Sequence, residues 1–73
     1  MEIMRQQITT QLSDKVSEGW NEKDTTYICV NGTRAMVSPA NNEDQRRYVF
    51  PGNWIYPGVY VTEFNNSLYR VVL

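Results

Sequence analysis

The chain has 73 residues, 41% hydrophobic and 21% charged, with a formal net charge of −1. A chain this short buries only about 60% of the surface its unfolded form exposes, so a single domain over 1–73 is expected, as a monomer or weak dimer helped by a partner surface. The absence of histidine and a lone cysteine, Cys29, exclude histidine acid–base and Cys-His chemistry, an internal disulfide and an ordinary zinc site.

Residues 3–18 are predicted to form a helix, because Met4, Ile8, Leu12 and Val16 recur at every fourth position and make one apolar stripe. Gly19 follows as a left-handed terminator. Thr10 or Ser13 are alternative caps of a shorter helix, which would leave 2–8 as an extended arm. Trp20 and the polar 21–24 segment then lead into a strand over 25–30, with Thr26, Ile28 and Val30 on one face and Tyr27 and Cys29 on the other. Asn31-Gly32 is a strong hairpin signal, since both residues tolerate the positive φ of a type I′ turn. The return strand, 33–38, should then set Ile28 opposite Ala35, Tyr27 opposite Met36 and Thr26 opposite Val37.

Residues 39–45 read as a mobile polar loop and 46–50 as a third strand. Pro51-Gly52 and Pro57-Gly58 fit the central positions of type II turns, with a short strand or bulged corner over 54–56 between them. Strands over 59–64 and 68–73 close the chain. A three-residue turn, Asn65-Asn66-Ser67, would set Val61 opposite Val71 and Thr62 opposite Arg70. The fold class is therefore α+β: one N-terminal helix packed on a small curled antiparallel sheet, or partial barrel, of 4–5 strands.

No phosphate-binding glycine loop or catalytic signature is present, so neither an enzyme nor a cofactor is expected. Glu43-Asp44 and Glu22/Asp24 read as solvated loop charges. Glu63 reads as an interstrand partner of Arg70. Cys29 reads as an inert half-buried residue, lacking an activating neighbour. No apolar run approaches the roughly 20 residues of a membrane span, and no basic-then-apolar leader opens the chain. A cytoplasmic protein without membrane contact is expected.

Two features remain as binding determinants. One is the aromatic set, Trp20, Tyr27, Tyr48, Phe50, Trp54, Tyr56, Tyr60, Phe64 and Tyr69, concentrated in 48–60. The other is arginine, the only cation beyond residue 24. Residues 1–24 set Arg5, Lys15 and Lys23 against Glu2, Asp14, Glu18, Glu22 and Asp24, giving −2. Residues 25–73 set Arg34, Arg46, Arg47 and Arg70 against Glu43, Asp44 and Glu63, giving +1. The acidic total weighs against nucleic acid as a direct ligand.

A non-enzymatic protein-binding module is expected, acting by steric occupancy of a larger complex. The partner-binding residues are expected to be Met4, Ile8 and Leu12 on the helix, and Arg46, Arg47, Tyr48, Trp54 and Arg70 in an arginine-aromatic face. In general profile the chain is similar to the short regulators that phages make early in infection. That likeness, resting on size and missing chemistry, implies an inhibitor or modulator of a host nucleic-acid enzyme such as RNA polymerase. The alternative expectation is a small OB- or SH3-like barrel that stacks single-stranded nucleic acid on Tyr48, Phe50 and Tyr60.

Overall fold

The computed structural model describes residues 2–73, with side chains from Arg5 onward. The elements in chain order are α1 (Glu2–Ser17), β1 (Thr26–Val30), β2 (Thr33–Pro39), α2 (Asn42–Arg47), β3 (Gly52–Tyr56), β4 (Val59–Phe64) and β5 (Ser67–Val72). The strands form one antiparallel sheet in the order β1-β2-β5-β4-β3. Because β1 and β3 end the order without pairing to each other, the sheet is not closed into a barrel.

α1 is stopped by a Schellman arrangement. Gly19 has φ 99°; its N–H donates to Val16 C=O, and Trp20 N–H donates to Lys15 C=O. These bonds satisfy carbonyls that the last turn would leave bare. Ile8 and Leu12 are wholly buried, whereas Val16 is 39% exposed. A stripe at every fourth residue drifts by about 40° per step around a 3.6-residue helix. Val16 has therefore turned away from the sheet that covers Ile8 and Leu12.

Two of the turns obey their sequences. Asn31 and Gly32 adopt φ 51° and 79°, and the first hairpin has the expected register. Gly58 has φ 81° between β3 and β4, as the second central residue of a type II turn requires. The last hairpin differs from expectation. Asn65 and Asn66 both take positive φ, 51° and 63°, so the turn has two residues. Val61 faces Arg70 and Thr62 faces Tyr69. Asparagine tolerates the left-handed region well enough to form a type I′ turn without glycine.

The segment before β3 departs further from the sequence reading. Residues 42–47 are helical, so neither a mobile loop over 39–45 nor a strand over 46–50 is present. The cause is a capping box. Asn41 Oδ1 accepts from Asp44 N–H at 2.8 Å, and Asp44 Oδ2 accepts from Asn41 N–H at 3.1 Å. Acidic residues open this short helix and arginines close it, which also suits its dipole. Pro51 does not begin a type II turn. The Phe50–Pro51 peptide is cis and Gly52 N–H donates to Val49 C=O, which places Pro51 third in the turn. β3 starts at Gly52, and a register shift between Trp54 and Tyr56 marks a bulge at Ile55.

α1 covers one face of the sheet. Ile8 and Leu12 join Ile28, Val30, Ala35, Val37, Tyr60, Phe64, Tyr69 and Val71 in the core, with Trp20 packed against it. α2 lies on the other face, where Arg70 Nε sits 3.1 Å from the Oδ2 of Asp44, a carboxylate only 1% exposed.

Candidate functional site

The face opposite α1 is built from alternate residues of every strand. One row across it runs Ser38, Arg70, Val61, Asn53. α2 anchors over this row through Asp44 and Arg70. The next row runs Tyr27, Met36, Val72, Val59, Tyr56. The bulge at Ile55 turns Tyr56 onto this face, although Trp54, two residues earlier, stays on the α1 face and meets Tyr60 edge-on at 5.3 Å.

No charged side chain interrupts this second row, and it is only partly covered. Tyr27 is 45% exposed, Met36 37% and Tyr56 39%, with Val59 and Val72 half-buried between them. Each end carries an arginine over a tyrosine ring. Arg34 Cζ lies 4.1 Å from the Tyr27 centroid, and Arg47 Cζ lies 5.2 Å from that of Tyr56. Such contacts hold the cation over the negative face of the ring. At the β3 end, Glu43 Oε2 accepts from Tyr56 Oη at 2.9 Å and lies 3.6 Å from Arg47 Nε. The hydrogen bond to Glu43 holds the Tyr56 phenol in its neutral form and raises its pKa above the ordinary value.

At the β1 end the row opens into a cleft of about 400 Å³ between α1 and the sheet, lined by Lys15, Tyr27, Cys29 and Arg34 among others. Among the described residues, no acidic one lines it. Cys29 is exposed here rather than half-buried. The helix is tied to the strand just beyond. Gln11 bonds both the N–H and the C=O of Cys29, and Gln7 accepts from Asn31 N–H at 3.2 Å. Two glutamine side chains thus satisfy main-chain groups on the free edge of β1, which would otherwise invite another strand.

The residues expected from sequence to bind a partner do not form one patch. Ile8 and Leu12 are core side chains facing the sheet, and the side chain of Met4 lies outside the described residues. Arg46 and Arg47 are consecutive on a helix, not on opposite faces of a strand. Both are exposed. Arg70 is held by Asp44 rather than Glu63, because the two-residue final turn sets Leu68 opposite Glu63 and Val61 opposite Arg70. Tyr48 is half-buried, and its hydroxyl finds no hydrogen-bond partner among the described residues. Burial, then the nearby Glu63 carboxylate, push its pKa up. Trp54 belongs to the face covered by α1.

Of the residues that form and flank this row, the sequence offered Tyr27 and Tyr56 within its aromatic set and Arg34 as a neighbour of Arg46 and Arg47, but it did not single out Met36, Val59 or Val72. The signal was present in strand alternation, but assembling the row requires the order of β2, β5 and β4. Among the described residues, no group of three or more His, Cys, Asp or Glu is placed to hold a metal ion. No helix among them is long and apolar enough to cross a membrane. No family model, curated protein or solved structure matches the chain.

Proposed function

We propose that the protein is a non-enzymatic protein-binding module that alters a larger complex by covering part of its surface. The observation that carries this reading is the apolar row from Tyr27 to Tyr56, only partly covered on a sheet whose other face is packed. Tyrosine and arginine, which close both ends of the row, are the residues that dominate protein interfaces. A contiguous apolar strip rimmed by polar groups is also the usual mark of an interaction surface on a small domain. Small phage regulators that occupy host nucleic-acid enzymes, RNA polymerase among them, are the functional type this reading points to.

The single-stranded nucleic-acid alternative draws less support. Its barrel frame is missing, because the sheet is open. Of its three stacking rings, Tyr60 is buried, Tyr48 is half-buried, and only Phe50, 74% exposed, stands free.

The test is affinity capture by the tagged protein from a host-cell lysate, with and without nuclease. A captured protein that survives nuclease and high salt supports the module. Capture that vanishes with nuclease transfers the case to nucleic acid, whose binding weakens steeply with salt. Capture of nothing removes the proposal.

A further inference from the structure

We infer that the row from Tyr27 to Tyr56 receives an acidic amphipathic helix, which lies across the strands beside α2 with its acidic end in the cleft lined by Lys15 and Arg34. This rests on the protein-binding reading and gives it a surface and a partner chemistry.

The shape of the surface selects a helix. The main-chain groups of a central strand are already paired within the sheet, so a sheet face offers an incoming segment only side chains. An extended peptide laid there would leave its own N–H and C=O groups without partners as it lost water. A helix satisfies its backbone internally and needs only an apolar stripe. Four interstrand steps of about 4.8 Å make the row about 19 Å long, which matches about 13 helical residues. The domain already packs a helix on each face, but α2 has only six residues and anchors over the neighbouring row. A further helix would complete the second layer.

The charges select an acidic partner and orient it. At the β1 end, Lys15 and Arg34 line the cleft, and among the described residues no carboxylate does. Asp14 and Glu18 flank Lys15 in α1 but do not line the cleft. At the β3 end, the Arg47 charge is already met by Glu43. Of the two arginines that lie over the row's tyrosines, Arg34 alone has no carboxylate beside it among the described residues, so the unanswered charge on the row itself lies at the β1 end. Met36, Val72 and Val59 between the ends offer only apolar contact. A helix with carboxylates in one terminal turn and leucine-like residues along one face satisfies both halves.

The experiment is an NMR titration of the ¹⁵N-labelled protein with three probes. The first is a synthetic helical peptide of about 14 residues with leucines along one face and glutamates at one end. The second has lysines in place of those glutamates. The third is oligothymidylate. The glutamate peptide is expected to shift the amides of Tyr27, Met36, Val59 and Val72, and the lysine peptide to leave them in place. Arg34→Glu and Met36→Asp should each weaken that binding by about tenfold or more, as charge reversal and a buried carboxylate do at interfaces. Both positions are exposed, and a melting curve checks each fold; if Met36→Asp unfolds, Arg34→Glu carries the test. The inference is overturned if the lysine peptide binds as well, if oligothymidylate alone moves these amides, if shifts fall elsewhere, or if no probe binds at millimolar concentration. Repeating the lysate capture with Arg34→Glu separates the two proposals. A partner held equally by wild type and variant keeps the module but removes this surface.

Discussion

A Cβ at Gly52 would stand 2.8 Å from Tyr60 Oη and 3.1 Å from the ring. Tyr60 is buried and braced edge-on by Trp54, so the ring has little room to retreat. Gly52→Ala is expected to cost about 1–3 kcal/mol, the usual penalty of overfilling a packed site. A urea midpoint equal to that of wild type would show that the ring yields. The sequence made Gly52 visible only as a turn glycine. Its role against Tyr60 depends on the pairing of β3 with β4, where Gly52 faces Thr62 and Trp54 faces Tyr60. The Asn31-Gly32 turn was legible in full, because its requirement for positive φ is local and no distant contact has to be known.

Among the elements, α2 was hidden although its code is in the chain. Asn41 followed three residues later by Asp44 is an Asx form of the capping box. The β-prone run Tyr48-Val49-Phe50 pulled the reading toward a strand instead. That run follows the helix as an extended exit, held by Asn53, whose side chain accepts from Val49 N–H and donates to Arg47 C=O. Asp44 is the pivot of the element, because Oδ2 both caps Asn41 and faces Arg70. Asp44→Ala should therefore lose the cap and strand the guanidinium. Because Arg70 retains some exposure, about 2 kcal/mol is expected rather than the full 3–5 of a wholly buried pair. Asp44→Ala combined with Arg70→Met should recover part of that loss in thermal unfolding. Additive losses would show that the pair contributes nothing as a pair. At the other end of the sheet, replacing Gln7 and Gln11 with alanine bares the β1 edge. The double variant should self-associate with rising concentration, measured by light scattering, while wild type stays at one size. Equal scattering would mean that the glutamines do not guard the edge.

For the whole molecule, the fold class was legible because alternation and turn residues act over a few neighbours each. The binding surface was not, because it joins residues from five strands through an order that no local pattern states. The hairpin turn sets Tyr27 opposite Met36 from sequence alone, but only the pairing of β2 with β5 places Val72 beside them. Three of the five tyrosines, Tyr48, Tyr56 and Tyr69, also give the fold a shared response to alkali. Burial, first of all, raises the pKa of Tyr48 and Tyr69, and the Glu43 hydrogen bond raises that of Tyr56. In each case the fold favours the protonated phenol. Above about pH 10, where an ordinary phenol ionises, the unfolded chain binds fewer protons than the native one, so stability falls as pH rises toward the native values. Below that pH the contribution is fully present. The urea midpoint should hold steady from neutral pH to about 9 and drop above 10, and Tyr48→Phe should flatten the drop. A midpoint unchanged by alkali would show that these phenols titrate alike in both states.

The glutamine fastening of α1 behaves as a vernier. Four residues of helix advance about 6.0 Å and two residues of strand about 6.7 Å, so Gln7 meets Asn31 and Gln11 meets Cys29 in step. The next graduation would set residue 15 against Tyr27, with the small mismatch accumulated. That position holds Lys15, which has three donors and no acceptor and cannot clasp an N–H as an amide does. The scale therefore stops at this mark, where Lys15 and Tyr27 line the cationic cleft together with Gln11, Cys29 and Arg34. An amide at the third division would offer the Tyr27 N–H the acceptor that Gln11 offers Cys29; the lysine there gives the cleft a charge instead.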